Sequence, residues 1–393
     1  MRIGDIVLTF VVVCWCASVR ASEGDTPLQN ADRFIEAMSA ARMVATPPAG
    51  ASADANLNAL RRLDAAMPAL GEPGGPVCAY VRNRSLLQAG KSAEAQVGLA
   101  QLSGISSVAP EAVLGLVEAN AMPPARRMSF ERCLADLLPI SGWNRARDMW
   151  DSDRPIIDLK ELSPRPEVPF LHVKKLIQIA QLSETLGLHD FAWHAYVEAI
   201  YGGRAPAWSN GAPKEGAWLS ADTAELWARA ADNAWKTGER AVAYDYVAKS
   251  VIFGPDGQLG KAKTTLAAWK ASVDAQQEEI PKAQLQEAVE QIVTLYAEMN
   301  VHPRALEIIR THPDWVKNPV ELEARIADEW KAALKAYSRG AKRVVVYGVE
   351  LTDKTDPTDI KVPFACSPEA VERVAQEVRK LLDTERAVPK PDL

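Results

Sequence analysis

The amino-acid sequence predicts an all-α protein: an α-α superhelix of paired antiparallel helices, with a small strand hairpin and one further helix at its carboxyl end. Three observations carry that prediction. Apolar residues recur at intervals of three and four through most of the 393 residues, which is the period of a helix with one buried face. Small residues stand, at a similar spacing in several segments, where two helices have to touch. At Arg343 the period shortens to that of a strand.

Taken in chain order, residues 1–21 have the layout of a secretory signal peptide. A short charged stretch with Arg2 leads into an apolar core, Ile6 to Trp15, and then to the small-residue site Val19-Arg20-Ala21. Asp5 dilutes the positive charge. The apolar run is shorter than the roughly 20 residues of a spanning helix, and no later window reaches that length. Cleavage after Ala21 is expected to leave an exported protein, periplasmic or extracellular, with no membrane span. Cys14 and Cys16 are preceded by Val13 and Trp15, not by the small residue that lipid attachment requires.

Composition narrows the classes of function. The hydrophobic fraction of 48% and charged fraction of 24% are those of a folded protein. The net charge of -6, without a basic stripe, argues against a phosphate-backbone partner, so no nucleic acid is expected. Beyond the signal the cysteines are Cys78, Cys133 and Cys366. Their number is odd and their spacing wide, so neither a disulfide framework nor a zinc site is indicated. A disulfide between two of them and three buried thiols both remain open.

Residues 22–140 read as an amino-terminal helical region, with amphipathic stretches over Asp32 to Met43, Asn56 to Ala69, Glu111 to Met122 and Ser129 to Leu138. It holds one weak repeat, Ala79 to Leu102, with Leu86, Gly90, Ala95 and Leu99 in place but Arg82 and Asn83 where helices should touch. Residues 141–169, with Trp143, Trp150 and several prolines, read as a linker. Residues 170–340 carry the array. Its clearest unit is Ala224 to Pro255: Trp227, Ala230 and Ala231 on the first helix, Gly238 in the turn, Ala243, Val247 and Ser250 on the second, and Pro255 at the end. A second unit from Val173 has Leu176, Ile179 and Ala180, then Gly187, then Ala192, Tyr196 and Ala199. A third from Gln286 has Val289, Ile292, Val293 and Tyr296, with Asn300 and Pro303 near the turn, then Ala305 and Ile309. Thr264 to Glu279 and Val320 to Ser338, with Leu322, Ile326 and Trp330 in register, add further helices.

These units resemble the tetratricopeptide repeat, with Ala231 where that pattern prefers Gly and Ser250 where it prefers Ala. The resemblance implies stacked helix pairs and a concave groove lined by one face of the first helix of each unit. Here that face carries Glu225, Ala228, Asp232, Trp235 and Lys236, joined by Lys174, Ile177, Gln181 and Glu184 from the preceding unit. A groove with an aromatic anchor among mixed charges suits an extended peptide.

Residues 341–393 close the chain. Val344 to Tyr347 reads as a strand and Asp359 to Phe364 as its partner in a hairpin. Ser367-Pro368 then opens a helix with Val371, Val374, Val378 and Leu381 on its apolar side, followed by a tail from Ala387.

Reactive constellations are sparse. Gly254 to Lys261 resembles a phosphate loop, but the lysine is followed by Ala262 and the segment follows a helix instead of a strand. His189 and His194 are five apart and do not share a helix face. No catalytic residue, metal ligand or cofactor is therefore assigned, and an enzyme with dispersed carboxylates stays open. Six of the eleven tryptophans fall between Trp193 and Trp269. The insertion Gly202 to Trp218, with Trp208 and Trp218, is expected at the rim of the groove. The expected function is a non-enzymatic scaffold that binds a protein or peptide in the groove. The alternative is a carbohydrate or cell-wall binder that stacks Trp208, Trp218 and Trp235 on a glycan.

Overall fold

The computed structural model describes residues 31–46, 53–66, 75–118, 124–138, 156–157, 168–202, 218–271, 280–337, 343–346, 349–350 and 360–386. The signal segment, nearly all of the 141–169 linker, most of the insertion and Trp208 lie outside them.

The described chain is all-α. Its helices are α1 (Ala31–Ala45), α2 (Ala53–Ala66), α3 (Gly75–Gln88), α4 (Ser92–Leu102), α5 (Ala109–Glu118), α6 (Pro124–Leu137), α7 (Val168–Thr185), α8 (His189–Gly202), α9 (Ala224–Lys236), α10 (Arg240–Phe253), α11 (Gln258–Ala271), α12 (Lys282–Glu298), α13 (His302–Thr311), α14 (Pro319–Tyr337) and α15 (Pro368–Arg386).

Four helix pairs, α3/α4, α7/α8, α9/α10 and α12/α13, share one turn. Gly90, Gly187, Gly238 and Asn300 hold φ of 77°, 65°, 87° and 62°, the left-handed conformation in which glycine, and next best asparagine, carries least steric cost. In each turn the following residue's N–H reaches back to a carbonyl five positions earlier: Lys91 to Leu86, Leu188 to Ser183, Glu239 to Ala234 and Val301 to Tyr296. The turn residue's own N–H bonds three back, to Leu87, Glu184, Trp235 and Ala297. This double closure satisfies carbonyls at the end of the first helix and starts the second two residues later.

The apolar and small residues picked out in these pairs are buried. They include Leu86, Ala95 and Leu99; Leu176, Ile179, Ala180, Ala192, Tyr196 and Ala199; Trp227, Ala230, Ala231, Ala243 and Val247; and Val289, Ile292, Val293, Tyr296, Ala305 and Ile309. Asn83 is buried as well, against the expectation that a polar side chain would hold α3 and α4 apart. Gly98 on α4 makes room for it: a β-carbon there would fall 2.3 Å from Asn83 Oδ1. Nδ2 of Asn83 donates to the Ala79 carbonyl at 2.9 Å.

The order of packing departs from the order of the chain. α8 packs on α9, but α12 packs on α7 and α13, so the third pair stacks beside α7 instead of following α10. α10 is covered by α1, α3 and α11, and α15 lies against α6 and α4. Arg42 on α1 caps the end of α10, donating from Nη1 to the carbonyls of Val251 (2.7 Å) and Pro255 (3.2 Å) and pairing with Asp256 at 2.9 Å. A cation at that end also complements the helix dipole. One continuous core runs from Phe34 on α1 through α5, α8, α10 and α13 to Val378 on α15, so the amino-terminal helices share an interior with those that follow residue 168.

The carboxyl segment corrects one expectation. Arg343–Val346 and Val349–Glu350 pair antiparallel over two residue pairs, whereas Ile360 to Phe364 is not a strand. Its alternation is nonetheless real, with Ile360 and Val362 buried and Lys361 and Pro363 exposed. The surface it lies on is helical. Arg304 Nη2 on α13 donates to the carbonyls of Val362 (3.1 Å) and Pro363 (2.8 Å), and its guanidinium stands 4.1 Å from the centre of the Phe364 ring. Cys366 N–H then bonds the Leu137 carbonyl of α6 at 2.8 Å. α15 starts as expected, with Ser367 Oγ accepting from Ala370 N–H at 3.4 Å.

Two ion pairs sit inside this body. Lys249 Nζ (α10) lies 2.7 Å from Glu111 Oε1 (α5), and the Tyr201 hydroxyl (α8) donates to the same oxygen at 2.9 Å. The ammonium also stands 4.1 Å from the centre of the Trp227 ring, a placement that favours a desolvated cation. The second pair, Arg304 with Glu198 (α8), is 2.7 Å apart. Cys78, Cys133 and Cys366 are free and buried; burial, with Asp245 nearby, pushes the Cys78 thiol up to about 12, which makes it a poor nucleophile.

Replacing Lys249 by Met is expected to cost about 3–5 kcal/mol, because it leaves Glu111 charged and sealed in the interior. Adding Glu111→Gln should return part of that loss, as read from urea unfolding. A second outcome concerns acid. His302 is only 4% exposed, and burial lowers its pKa to about 4. The unfolded chain thus binds the proton more tightly, so the stability from His302 is intact above about pH 6.5 and is lost as pH falls toward about 4. By pH 5 the loss is on the order of 2 kcal/mol, and His302→Gln should flatten the unfolding midpoint over that interval.

Candidate functional site

The face expected to line a groove is formed by α7 and α9. Lys174 and Gln181 are exposed on α7, with Ile177 and Glu184 half-buried; on α9, Glu225 and Lys236 are exposed, and Ala228 and Asp232 half-buried. Of the α7 side chains expected on that face, Glu184 is the one that bonds α9, through Arg229 and Asn233.

Its aromatic anchor is a different matter. Trp235 is buried, and its ring stacks on Trp269 of α11, with centroids 4.7 Å apart and planes 3° from parallel. The Tyr244 ring meets it edge-on at 5.9 Å, and the Arg240 guanidinium lies 5.1 Å from its centre. Trp269 Nε1 donates to Asp232 Oδ1 at 2.9 Å, while Lys236 pairs with Asp232 Oδ2 at 2.9 Å. The chain's own α11 occupies the place assigned to a partner. Trp218 is also interior, only 1% exposed; its carbonyl accepts from Trp227 Nε1 at 3.0 Å and from the Thr223 hydroxyl at 2.8 Å. Neither tryptophan presents an open ring to a sugar.

What the face does present is a polar network from α7, α8 and α9. Glu184 Oε2 accepts from the Tyr196 hydroxyl at 2.8 Å and from Arg229 Nη1 at 3.2 Å; Oε1 accepts from Asn233 Nδ2 at 3.2 Å. Arg229 also donates to the Tyr196 oxygen at 3.1 Å and pairs with Glu225 at 3.8 Å. Asn233 reaches the ring of His189, Nδ1 to Oδ1, at 2.7 Å. Burial pushes the Tyr196 phenol up to about 12, against the pull of Arg229 and with the help of Glu184, so the hydroxyl keeps its proton and acts as the donor to the carboxylate. Arg229 and Glu184 are 43% and 25% exposed at their side chains, so the network is open to solvent on one side and anchored on the other by Asn233, which is fully buried.

Of these residues the sequence marks Glu184 and Glu225 for the groove. Arg229 and Asn233 carry no motif, Tyr196 is marked only as a packing position of its repeat, and His189 reads as a turn histidine. Their convergence depends on how α8 lies against α7 and α9. Among the described residues no group of three or more His, Cys, Asp or Glu side chains is placed to hold a metal ion.

No family model, curated protein or solved structure matches this chain.

The α11 contact has a measurable weight. Trp269→Ala removes a buried ring packed on both Trp235 and Tyr244, and the expected loss is about 3–5 kcal/mol, read from the urea midpoint. A red shift of the tryptophan emission should accompany it, as Trp235 becomes wet.

Proposed function

We propose that this protein is an exported, non-enzymatic scaffold of tetratricopeptide-like helix pairs that holds a polypeptide segment across the α7/α9 face. The observation that carries this reading is the network in which half-exposed Glu184, Arg229 and His189 are held by buried Tyr196 and Asn233. Groups already fixed by one another lose little freedom when a ligand arrives, which is what recognition of a flexible chain requires. Around them Lys174 and Lys236 alternate with Glu225 and Asp232, and Ile177 and Ala228 give an apolar floor. That mixture suits main-chain and side-chain contacts with an extended segment.

The repeat reading draws support from the four turns of one geometry, although the third pair packs beside α7 and not after α10. The superhelix proposed is therefore short, with α7/α8 and α9/α10 as its consecutive pairs and the amino-terminal helices against α10. Export is supported by the layout of residues 1–21 in the sequence, and no described helix is long and apolar enough to cross a membrane.

The test is to pan a random-peptide display library on the full-length protein and measure the selected peptides against Lys174→Glu/Lys236→Glu. Both lysines are solvent-facing, and losing the Lys236–Asp232 pair should cost the fold no more than about 1 kcal/mol, so the variant stays folded. An affinity loss of about tenfold, roughly 1.4 kcal/mol, is expected. A library that shows no enrichment, or peptides that bind the variant equally well, would overturn the proposal.

A further inference from the structure

The Asn233 amide can be oriented in only one way. Its Nδ2 lies 3.2 Å from Glu184 Oε1 and 2.9 Å from the Arg229 carbonyl, and both of those atoms only accept. The amide nitrogen must therefore face them, which turns Oδ1 toward His189. An amide oxygen cannot donate, so the 2.7 Å contact with His189 Nδ1 requires the proton to sit on that ring nitrogen. In the neutral imidazole the lone pair is then on Nε2, across the ring from Asn233.

That lone pair is left open. Nε2 of His189 has no hydrogen-bond partner among the described residues and is not among the polar atoms sealed from solvent. The other described histidines differ. His194 binds the Asp190 carbonyl through Nδ1 at 2.8 Å and is packed between Trp193 and Phe364; His302 is buried; and the His312 ring is stacked on Trp315, with centroids 3.7 Å apart. His189 joins a fixed proton position to an open acceptor and, unlike His194, is tied to the α7/α9 face through the chain Glu184, Asn233, His189.

We propose that His189 Nε2 is the acceptor by which this face takes a main-chain N–H of its bound segment. This rests on the reading of the face as a polypeptide site. Within the network Glu184 is already satisfied by Asn233, Tyr196 and Arg229, and the preset imidazole is the acceptor left over for a neutral donor such as a main-chain N–H. A main-chain N–H reaching Nε2 would be read by direction as well as by charge, since the ring is held by Asn233 and cannot exchange its two nitrogens without breaking that bond.

The test has two arms on the full-length protein. Long-range proton–nitrogen NMR of the free protein at mildly alkaline pH reports the His189 tautomer. The expected form carries hydrogen on Nδ1; hydrogen on Nε2 would overturn the inference whatever the peptides do. The second arm takes a panned peptide and methylates its backbone nitrogens one at a time. One position is expected to cost about tenfold in affinity for the wild-type protein and to cost nothing further in His189→Phe. If every methylated position behaves alike in wild type and variant, the acceptor role fails while polypeptide binding stands. If no peptide binds at all, the polypeptide reading falls and takes the acceptor role with it, leaving only the tautomer as measured.

Discussion

The interior pair of Lys249 and Glu111 is the constraint on which the arrangement of this protein turns. Taking a lysine and a glutamate out of water costs several kcal/mol for each ion, and the cost is recovered only in close, well-bonded geometry. Here Lys249 and the Tyr201 hydroxyl both bond Glu111 Oε1, and Trp227 lies beside the ammonium. The groups involved come from α5, α8, α9 and α10. A one-turn slip of any of these helices would strand a charge. The pair therefore acts as a register key between α5 and the helices α8 to α10, and Arg304 with Glu198 plays the same part between α8, α13 and the segment Val362 to Phe364.

This keying explains which parts of the fold were legible in the sequence. Helices and turns are local: the three-and-four period placed the helices, and Gly90, Gly187 and Gly238 marked turns that close through bonds within six residues. Asn300 does the same work because it tolerates the left-handed conformation better than most residues. The segment Ile360 to Phe364 shows where local reading stops. Its alternation fixes that one side is buried, but not whether the surface beneath is a strand or a pair of helices. The answer lay in Arg304, 58 residues from Val362, whose two carbonyl contacts substitute for a partner strand. The stacking of α12 on α7 was illegible for the same reason, since a helix pair carries no mark of which neighbour it will meet.

The candidate site was legible to a similar depth. Helical spacing alone assigns Lys174, Gln181, Glu184, Glu225, Ala228, Asp232 and Lys236 to a face. Trp235 lies on that face by its spacing and is still covered, because α11 returns across it and lays Trp269 flat on its ring. Position in a repeat fixes the direction in which a side chain leaves its helix; whether anything waits there is settled by a different part of the chain. The role proposed for His189 was hidden by the converse effect. Its value comes from Asn233, 44 residues on, and no spacing rule joins a turn histidine to a buried asparagine on the next helix.

The cover on Trp235 changes the character of the recognition that this face can support. An exposed tryptophan would have supplied a large part of the binding energy from buried area, with little demand on sequence or direction. With that ring committed to Trp269, the half-exposed groups that remain between α7 and α9 are chiefly polar, and each hydrogen bond there exchanges one with water for a modest net gain. Affinity from such a surface comes from geometry fixed in advance. Asn233 is the element that supplies it: fully buried, it holds Glu184 on one side and His189 on the other, and it carries the rigidity of the packed interior out to the surface groups. A ligand with its own regular row of polar groups gains most from a surface of that kind, and an extended polypeptide backbone has one.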